Sequence, residues 1–585
     1  MLILSFLFEI ISVYVTKATN SKEHFSEICF IKNTNTFLKM KILIIGGVAG
    51  GATAAARLRR LSEENEIIIF EKGEHVSFAN CGLPYHIGGV IIERSKLLLH
   101  TPTSLKTRFN LDVRIFNEVL KINKEEKTVE VRNLITKEIY TESYDKLLLS
   151  PGAEPFRPNI PGIDSDKIMT LRNVADMDRI IAKTKDLKNI AVVGGGFIGL
   201  EVAENLVEKK LNVTVIELGN QVMAPVDFEF AKMVQHHAVA KKLNILINTG
   251  VEAFEDKGNQ IELKLNNGKT ILADAVVFAI GVKPENGLAK AAGLEIGVTG
   301  GIVVNDFMQT ADPNIYAVGD AVEVSHYINQ AKVLIPLAWP ANRQGRIVAD
   351  NITRGNKISY SGTLGTSIIK FFDLTVGATG LNEKLLKRYN IPYRTVTVTR
   401  PNHASYYPGG TNIVLKMNFA EDGTILGAQA LGQEGVDKRI DVIATAIKGN
   451  LTIYDLQEIE IAYAPPYNSA KDPVNILGYV AENMLKDDVR FINYDQLDDY
   501  LATENAVLID VRTKTEFENG AIPNAINMDV DTLRDNLDFF DKNKKYVIYC
   551  QIGLRGYLAQ RILRNNNIYS VNLNGGYGLW KPVNS

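Results

Sequence analysis

The stretch Lys41-Ile42-Leu43-Ile44-Ile45-Gly46-Gly47-Val48-Ala49-Gly50-Gly51 decides the fold of this chain. Its first five residues predict a strand that ends in a glycine-rich turn, and residues 52–61 predict the helix that follows. A second strand, predicted over residues 66–70, ends at Glu71, about 20 residues beyond the glycines. This order is typical of a dinucleotide-binding site: backbone amides approach a pyrophosphate, and the acid holds a ribose hydroxyl.

The same order returns later in the chain. Residues 189–193 lead into Gly194-Gly195-Gly196-Phe197-Ile198-Gly199, then a predicted helix over 200–209 and a strand over 212–216 that ends at Glu217. This copy has all three glycines of the G-x-G-x-x-G motif, whereas Val48 takes the middle position in the first. Two nucleotide sites imply two cofactors, or one cofactor and a nucleotide substrate. Glu217 favours the free 2′-hydroxyl of NADH over NADPH, a preference that a nearby Lys or Arg can reverse.

Composition excludes several function classes. The chain has 585 residues, and at about 150 residues per domain this length suggests roughly four domains. A net charge of −2 provides no basic field for nucleic acid or an anionic membrane. Three widely separated cysteines argue against a disulfide framework and for a reducing compartment. His and Cys residues do not cluster at metal-ligand spacing, so no metal is expected.

Residues 1–39 do not match the pattern of the rest. Residues 1–15 are apolar but carry Glu9, are too short for a spanning helix and lack the basic start of a signal peptide. We interpret the segment as an upstream extension of a chain that functionally starts at Met40. A membrane-associating segment is the second interpretation and a cleaved signal peptide the third. Cys29 lies in this segment and is assigned no role.

Cys81 lies in Ser77-Phe78-Ala79-Asn80-Cys81-Gly82-Leu83-Pro84-Tyr85, directly after the first nucleotide-binding unit. It has no second cysteine near it in sequence, which excludes a local redox disulfide. A lone thiol in this position is a candidate for covalent chemistry, in which a thiolate takes up sulfur or oxygen and is then reduced by a neighbouring cofactor. The alternative is a buried free cysteine that packs as a small hydrophobe.

Three further signatures accompany the glycine turns. Residues 147–153 and 275–284 are predicted strands that end in Pro- and Gly-containing turns, and residues 310–320 end a strand at Gly319-Asp320. Over residues 40–486 the chain thus resembles the pyridine nucleotide–disulfide oxidoreductase family of flavoproteins. The resemblance implies that Asp320 contacts the ribityl chain of the flavin. It also implies FAD at Gly46, Gly47, Gly50, Gly51 and Glu71, and NAD(P)H at Gly194, Gly196, Gly199 and Glu217.

Within that family, the stretch around Cys81 resembles the single-cysteine branch of coenzyme A disulfide reductases, NADH oxidases and NADH peroxidases. Residues 402–409 and 462–467 look like the coenzyme A disulfide reductase pattern, in which two tyrosines reach across a dimer interface to the partner's active cysteine. We map these to Tyr406 and Tyr463; Tyr407 or Tyr467, or a plain interface role, remain alternatives.

The resemblance also implies a coenzyme A site. It places Arg57, Arg60, Ser77 and Asn80 where coenzyme A is held, and basic residues suit an anionic phosphorylated thiol. Arg57 and Arg60 are equally what an exposed helix face carries.

A charged break, Lys486-Asp487-Asp488, precedes the last domain. There, a predicted strand over residues 546–549 delivers Cys550 into a loop that opens a helix, and this setting should depress the pKa of the thiol. Loop amides and the charge of Arg555 could hold a persulfide anion. The segment resembles a rhodanese domain with Cys550 as sulfur acceptor and residues 573–576 and Trp580 as its closing motif. An inactive relic is the alternative, because Ala521 and Asn524 replace residues frequent in that family.

The sequence therefore predicts an α/β protein with two Rossmann-like FAD/NAD(P)-binding domains, an α+β dimerisation domain and a C-terminal α/β rhodanese domain. The predicted boundaries are 1–39 for the extension, 40–154 and 281–360 for the FAD-binding domain, 155–280 for the NAD(P)-binding domain, 361–486 for the dimerisation domain and 489–585 for the rhodanese domain.

The resemblance implies a cytoplasmic homodimer that uses FAD, NADH or NADPH, and coenzyme A. Its expected substrates are coenzyme A disulfide, coenzyme A persulfide or polysulfide, reduced through Cys81 with proton transfer from Tyr406 or Tyr463. Cys550 and Arg555 would handle sulfane sulfur. The alternatives are an NADH oxidase or peroxidase that cycles Cys81 through sulfenic acid, and a non-catalytic sulfur- or redox-sensing module. No nucleic-acid partner and no stable membrane span are expected.

Overall fold

The structure is a computed structural model that describes residues 39–584. The interpretations of Cys29 and of residues 1–38 lie outside the described residues. Within the described range, no helix combines the length and apolar character that a membrane crossing requires.

The first predicted strand forms as Lys41–Ile45, at the centre of a five-stranded parallel sheet. Its apolar residues Ile42, Leu43 and Ile44 are fully buried, as expected for a parallel sheet covered on both faces. The strand order is Ile315–Ala317, Lys146–Leu149, Lys41–Ile45, Glu66–Glu71 and Asp112–Ile115. Because Ile315–Ala317 pairs with Lys146–Leu149, the chain returns to this first sheet after building the second one.

The second sheet repeats the architecture of the first. Its strand order is Asn244–Leu246, Asn212–Ile216, Asn189–Val193, Ala275–Phe278 and Ile168–Met169, all parallel.

The helix after each glycine turn begins three residues earlier than predicted. The first helix is Ala49–Leu61 rather than 52–61, and the second is Phe197–Glu208 rather than 200–209. The predicted starts were wrong because all the glycines were assigned to the turn, whereas the last glycine of each turn is already helical. A side chain on Gly51 would overlap the carbonyl of Gly46, and one on Gly199 that of Gly194. Glycine at these places lets each helix start directly at the turn, with its free amides at the sheet edge.

Smaller antiparallel sheets, one mixed sheet and further helices complete this part of the chain. The three-stranded sheets are Asn117–Asn123 with Thr128–Asn133 and Ile139–Ser143, and Val251–Asp256 with Ile261–Leu265 and Thr270–Ala273. Val282–Pro284 pairs with Ala153–Pro155, and Val322–Ser325 lies between Ile302–Val303 and Lys332–Val333. The helices here are Leu83–Gly88, Pro102–Phe109, Val174–Thr184, Phe228–Ala240, Gly287–Ala291 and Ala338–Arg354.

The third part is a five-stranded antiparallel sheet covered by helices. The strand order is Ser367–Phe371, Leu374–Gly380, Ile425–Gly432, Asn412–Phe419 and Arg394–Pro401. The helices are Glu383–Arg388, Val436–Lys448, Ile453–Glu458 and Pro473–Leu485. The apolar face of Val436–Lys448 packs with the sheet in one buried cluster that includes Ile440 and Ile443.

The C-terminal part is built on a separate five-stranded parallel sheet. The strand order is Phe491–Ile492, Ser570–Leu573, Tyr546–Tyr549, Val507–Asp510 and Ile526–Asn527. Its helices are Leu497–Thr503, Lys514–Glu518, Leu554–Asn565 and Gly576–Asn584.

This C-terminal part is attached to the rest of the chain by direct hydrogen bonds. The backbone N–H of Thr397, on the edge strand of the antiparallel sheet, donates to Oδ1 of Asn574 at 3.0 Å. The hydroxyl of Tyr494 donates to Glu229 at 3.3 Å. The ring Nε2 of His236 lies 2.8 Å from the carbonyl oxygen of Pro582.

A buried charge cluster lies beside these contacts. The ammonium group of Lys416, which is 2% exposed, pairs with the carboxylates of Asp227, Glu229 and Glu383. Burial and the neighbouring Asp227 raise the pKa of Glu229, with Lys416 opposing them. Because Tyr494 bonds the same Glu229, the C-terminal part packs on a cluster that joins the second and third parts of the chain.

Candidate active sites

One continuous cavity of about 2720 Å³ joins the two predicted nucleotide sites. It is lined by both glycine turns, by Cys81 and by Asp320. A site for one drug-sized ligand encloses about 300–1,000 Å³. The cavity therefore has room for more than one large ligand beside the Cys81 thiol.

Each predicted ribose-binding acid also accepts hydrogen bonds from the backbone of its own glycine turn. Glu71 accepts hydrogen bonds from the backbone N–H groups of Gly47 (3.1 Å) and Gly73 (2.9 Å). Glu217 makes the same two contacts with Gly195 and Gly219, both at 2.7 Å. Both acids also line the cavity. The two copies of the motif are therefore alike in contacts as well as in sequence order, and both fit a dinucleotide.

The second glycine turn has open space where a pyrophosphate would approach. A Cβ atom built on Gly196 would meet no other atom within 4 Å. In the first turn the corresponding residue is Val48, whose backbone lies just before the helix with φ −103° and ψ −131°. The helix start after the first turn thus still faces the cavity, although the middle residue of the turn carries a side chain.

Asp320 faces the cavity from a short turn, Gly319–Ala321. Burial raises the pKa of its carboxyl to about 6, while Arg172 acts in the opposite direction. A buried carboxyl of this kind gains from a hydrogen-bond donor, and the hydroxyl groups of a flavin ribityl chain are such donors. The residues present therefore fit FAD at this end of the cavity.

Cys81 lies in the turn Asn80–Gly82, immediately before the helix Leu83–Gly88. It is accessible through the cavity, yet the surrounding protein raises the pKa of its thiol by desolvation. The carboxylates of Glu201 and Asp320 add to this effect. The groups of the chain therefore favour the protonated thiol over the thiolate.

Glu201 is a residue that the sequence analysis missed. It lies one turn into the helix Phe197–Glu208 and lines the same cavity as Cys81. The hydroxyl of Tyr85 donates to its carboxylate at 3.4 Å, and burial raises the pKa of Glu201 to about 7. A carboxyl group with this pKa can hold or release a proton near neutrality. Its position on the helix of the second glycine turn was the available signal, but sequence spacing alone does not bring it to the thiol.

The residues predicted to hold coenzyme A separate into two sets. Arg60, Ser77 and Asn80 line the cavity together with Cys81. The structure places Arg57 differently: its Nη2 pairs with Oδ1 of the buried Asp350 at 2.7 Å, and its Nε donates to Oδ2 at 3.3 Å. The guanidinium of Arg57 is therefore already satisfied by a carboxylate, whereas Arg60 remains available for an anion.

Tyr406 and Tyr463 lie next to each other. Their hydroxyl groups are 3.0 Å apart, although the residues are 57 positions apart in the chain. Their side chains are 73% and 50% exposed. Tyr407 instead packs edge-on against His403, with ring centroids 5.6 Å apart, and Tyr467 is exposed. Among the four candidate tyrosines, the described structure thus pairs the two that the sequence analysis selected.

Cys550 lies at the end of the strand Tyr546–Tyr549 and is 1% exposed. The backbone N–H of Gly553 donates to its sulfur at 3.1 Å, so a loop amide points at the sulfur as expected. The N–H of Tyr577 donates to the Cys550 carbonyl oxygen at 2.8 Å, which fixes the loop against the predicted closing motif.

The guanidinium of Arg555 is already paired with a carboxylate. It forms two hydrogen bonds with the carboxylate of Glu516, at 2.6 and 2.7 Å. The same ion pair lowers the pKa of Glu516 to about 2. The expected positive charge is therefore present but already paired.

Two dinucleotide-binding turns that share a cavity with a single thiol define a flavin- and nicotinamide-dependent oxidoreductase. The chain belongs to the pyridine nucleotide-disulphide oxidoreductase family, whose model matches residues 40–345. The dimerisation domain of that family matches residues 366–473, and a rhodanese-like domain matches residues 493–582.

Relatives of known identity resemble most of the chain. A coenzyme A disulfide reductase of Staphylococcus aureus (strain JH9) is 40% identical over 446 residues, which cover 76% of this chain and 100% of that protein. The structure of reduced Bacillus anthracis CoADR-RHD superposes with a TM-score of 0.91 at 51% identity, covering 93% of this chain and 98% of that one. An NAD-dependent persulfide reductase from A. fulgidus gives 0.88 at 36% identity, covering 92% and 100%.

These similarities confirm the predicted family, the fold class and an oxidoreductase that uses FAD and NAD(P)H. The exact domain boundaries and the roles of individual site residues stay predictions.

Proposed function

We propose that this chain is an NAD(P)H-dependent flavoprotein that reduces coenzyme A disulfide or a coenzyme A persulfide through Cys81. The observation that carries the proposal is the single cavity that brings both glycine turns to the Cys81 thiol. The similarity to a coenzyme A disulfide reductase and to a persulfide reductase supports the choice of substrate.

The cofactors would occupy the two ends of this cavity. Gly46 to Gly51, Glu71 and Asp320 would hold FAD, and Gly194 to Gly199 with Glu217 would hold NADH or NADPH. When bound, these groups supply two electrons to the site. Arg60, Ser77 and Asn80 would hold the anionic coenzyme A with its sulfur at Cys81.

The sulfur chemistry then takes place on Cys81. Its thiolate attacks one sulfur of the disulfide, so that a Cys81–S–S–CoA bond forms while the substrate S–S bond breaks and a coenzyme A thiolate leaves. That thiolate takes up one proton. Two electrons and a second proton then break the mixed disulfide, release the second coenzyme A thiol and restore the Cys81 thiolate.

The proton donor is the hydrogen-bonded pair of Tyr406 and Tyr463 from a second copy of the chain. Support for this comes from their mutual contact, their exposure and their place in the domain that matches a dimerisation model. We propose a homodimer in which each thiol faces the tyrosine pair of the other subunit. Two free cysteines in the described chain, Cys81 and Cys550, suit a reducing compartment such as the cytoplasm.

The C-terminal domain adds sulfane-sulfur transfer. Cys550 would accept a sulfur atom from a persulfide or polysulfide, and the loop amide of Gly553 would stabilise the product anion. Coenzyme A would carry sulfur between Cys550 and Cys81.

The test is an anaerobic assay of NADH and NADPH oxidation with coenzyme A disulfide and then with polysulfide. Cys81→Ser is expected to abolish both reactions, and Cys550→Ala to slow only the polysulfide reaction. Full turnover of both substrates by Cys81→Ser would refute the proposal. Turnover of peroxide without coenzyme A would instead favour the oxidase or peroxidase alternative.

A further inference from the structure

Two arginine–carboxylate pairs lie at the loop that carries Cys550. The loop residues between Cys550 and Arg555 are Gln, Ile, Gly and Leu, so none of them carries a charge. The N–H of Gly553 donates to the Cys550 sulfur, and Arg555, in the first turn of the helix that follows, pairs with Glu516. The balance between Arg555 and Glu516 therefore sets the charge that a donor meets.

Glu516 is held in place independently of Arg555. It lies in the short helix Lys514–Glu518, and its Oε2 accepts hydrogen bonds from the N–H (3.2 Å) and the hydroxyl (3.1 Å) of Thr513. The N–H of Glu516 in turn donates to the Thr513 hydroxyl at 3.3 Å. This reciprocal cap fixes the carboxylate where it receives both nitrogens of the guanidinium.

A second arginine at the same loop is neutralised in the same way. Arg512 is buried and forms hydrogen bonds to both oxygens of Asp510, the shortest at 2.7 Å. Its Nη1 donates to the side chain of Gln551, the residue after Cys550, at 3.2 Å. Both arginines that contact the loop thus orient it while a carboxylate cancels their charge.

We propose that Glu516 is a specificity-determining residue that adapts the Cys550 site to persulfide and polysulfide donors and disfavours thiosulfate. This inference rests on the proposed function, since it assumes that Cys550 accepts sulfur. A persulfide R–S–S⁻ carries one negative charge at the reacting end, and a protonated persulfide carries none. Thiosulfate is a dianion, and it approaches a thiolate in a loop whose cations are already paired.

The transfer step is balanced for both donors. The Cys550 thiolate attacks the outer sulfur of R–S–S⁻, a Cys550–S bond forms, the donor S–S bond breaks, and R–S⁻ leaves with the electron pair. With thiosulfate the same attack releases sulfite, SO₃²⁻. The reacting groups carry a total charge of −2 in the first case and −3 in the second, so the second case gains more from an unpaired cation at Arg555.

The test compares Glu516→Gln with the wild-type full-length flavoprotein, without NAD(P)H. The variant keeps the size and the acceptor oxygen but releases the charge of Arg555. The matched control is Glu518→Gln, on the same helix, whose carboxylate pairs with Lys514 rather than Arg555. The readout is the rate at which the peptide that contains Cys550 gains one sulfur atom, followed by peptide mass spectrometry, with thiosulfate and with cysteine persulfide as donors.

Glu516→Gln is expected to raise the ratio of the second-order rate constant of sulfur transfer from thiosulfate to that from cysteine persulfide by about tenfold. A gain with one donor is a result that simple structural damage cannot produce. Glu518→Gln is expected to keep the wild-type ratio. An unchanged or lower ratio in Glu516→Gln, while Cys550 still takes sulfur from the persulfide, would overturn this inference alone. Failure of wild-type Cys550 to take sulfur from either donor would overturn the proposed sulfur transfer itself.

Discussion

The side chain of Asn574 accepts a hydrogen bond from the backbone N–H of Thr397, with 3.0 Å between nitrogen and oxygen. Asn574 immediately precedes the Gly575-Gly576 turn, and the N–H of Tyr577 that follows donates to the carbonyl of Cys550. Thr397 lies on the strand Arg394–Pro401, which leads directly into the segment that carries Tyr406. This interdomain hydrogen bond therefore joins the turn that contacts the Cys550 loop to the strand that precedes Tyr406.

Replacing Asn574 by Ala should loosen the rhodanese domain. The buried N–H of Thr397 would lose its acceptor, which costs about 1–3 kcal/mol. We expect a lower unfolding temperature and faster limited proteolysis between residues 486 and 500. The control is Asn543→Ala, an exposed position of the same domain, which should behave as wild type. Equal behaviour of the two variants would show that the contact does not hold the domain.

Replacing Lys416 by Met should destabilise the folded chain strongly. The change leaves the buried Asp227 and Glu229 and the partly buried Glu383 without their cation, a loss of about 3–5 kcal/mol. Lys387, which is exposed and pairs with Glu383 at 3.4 Å, provides the control: Lys387→Met should cost less than about 1 kcal/mol. Urea unfolding measures both. A small effect of Lys416→Met would mean that the carboxylates take up protons or water instead.

Replacing Tyr406 or Tyr463 by Phe should slow turnover of coenzyme A disulfide. General-acid catalysis typically contributes about 10²–10⁴-fold, so a loss of kcat in that range is expected for the pair's proton donor. Tyr467→Phe is the control because Tyr467 is exposed in the same segment.

The same variants test whether the tyrosines act across subunits. Mixed dimers of a Cys81→Ser subunit and a Tyr406→Phe/Tyr463→Phe subunit should recover activity, since one of their two sites is then complete. Mixed dimers as inactive as both parents would place thiol and tyrosines in one subunit.

Replacing Glu201 by Gln should stabilise the chain in a pH-dependent way. Burial raises the pKa of Glu201 from its ordinary value of 4.5 to about 7 in the folded chain, so the unfolded chain releases this proton first as the pH rises. Stability is therefore lost between about pH 4.5 and pH 7, and the cost is fully present above pH 7.

Glu201→Gln removes that cost, so its unfolding free energy should exceed wild type by up to about 3 kcal/mol near pH 8 and differ little near pH 5. Glu208→Gln, at the exposed end of the same helix, should show no such pH dependence. A gain of equal size at both pH values would contradict the titration of Glu201.

Local sequence patterns predicted the strands beside the two glycine turns, the turns themselves and the strand that leads to Cys550, because those features depend on residues within about one motif of each other. They did not predict that the guanidinium of Arg57 pairs with the carboxylate of Asp350, which lies 293 residues further along the chain. Nor did they predict that Glu201 lies in the cavity of Cys81, or that Glu516 neutralises Arg555 from 39 residues away. Such contacts depend on how separate elements pack, and spacing in the sequence does not encode them.

The account depends most directly on the mixed disulfide at Cys81. The decisive measurement is peptide mass spectrometry of the protein after incubation with coenzyme A disulfide in the absence of NAD(P)H, repeated after NADH or NADPH is added. The account predicts one coenzyme A on the peptide that contains Cys81, none on the peptide that contains Cys550, and its loss when reduced nicotinamide is supplied. A Cys81 peptide that never carries coenzyme A, in a protein that still reduces the disulfide, would contradict it.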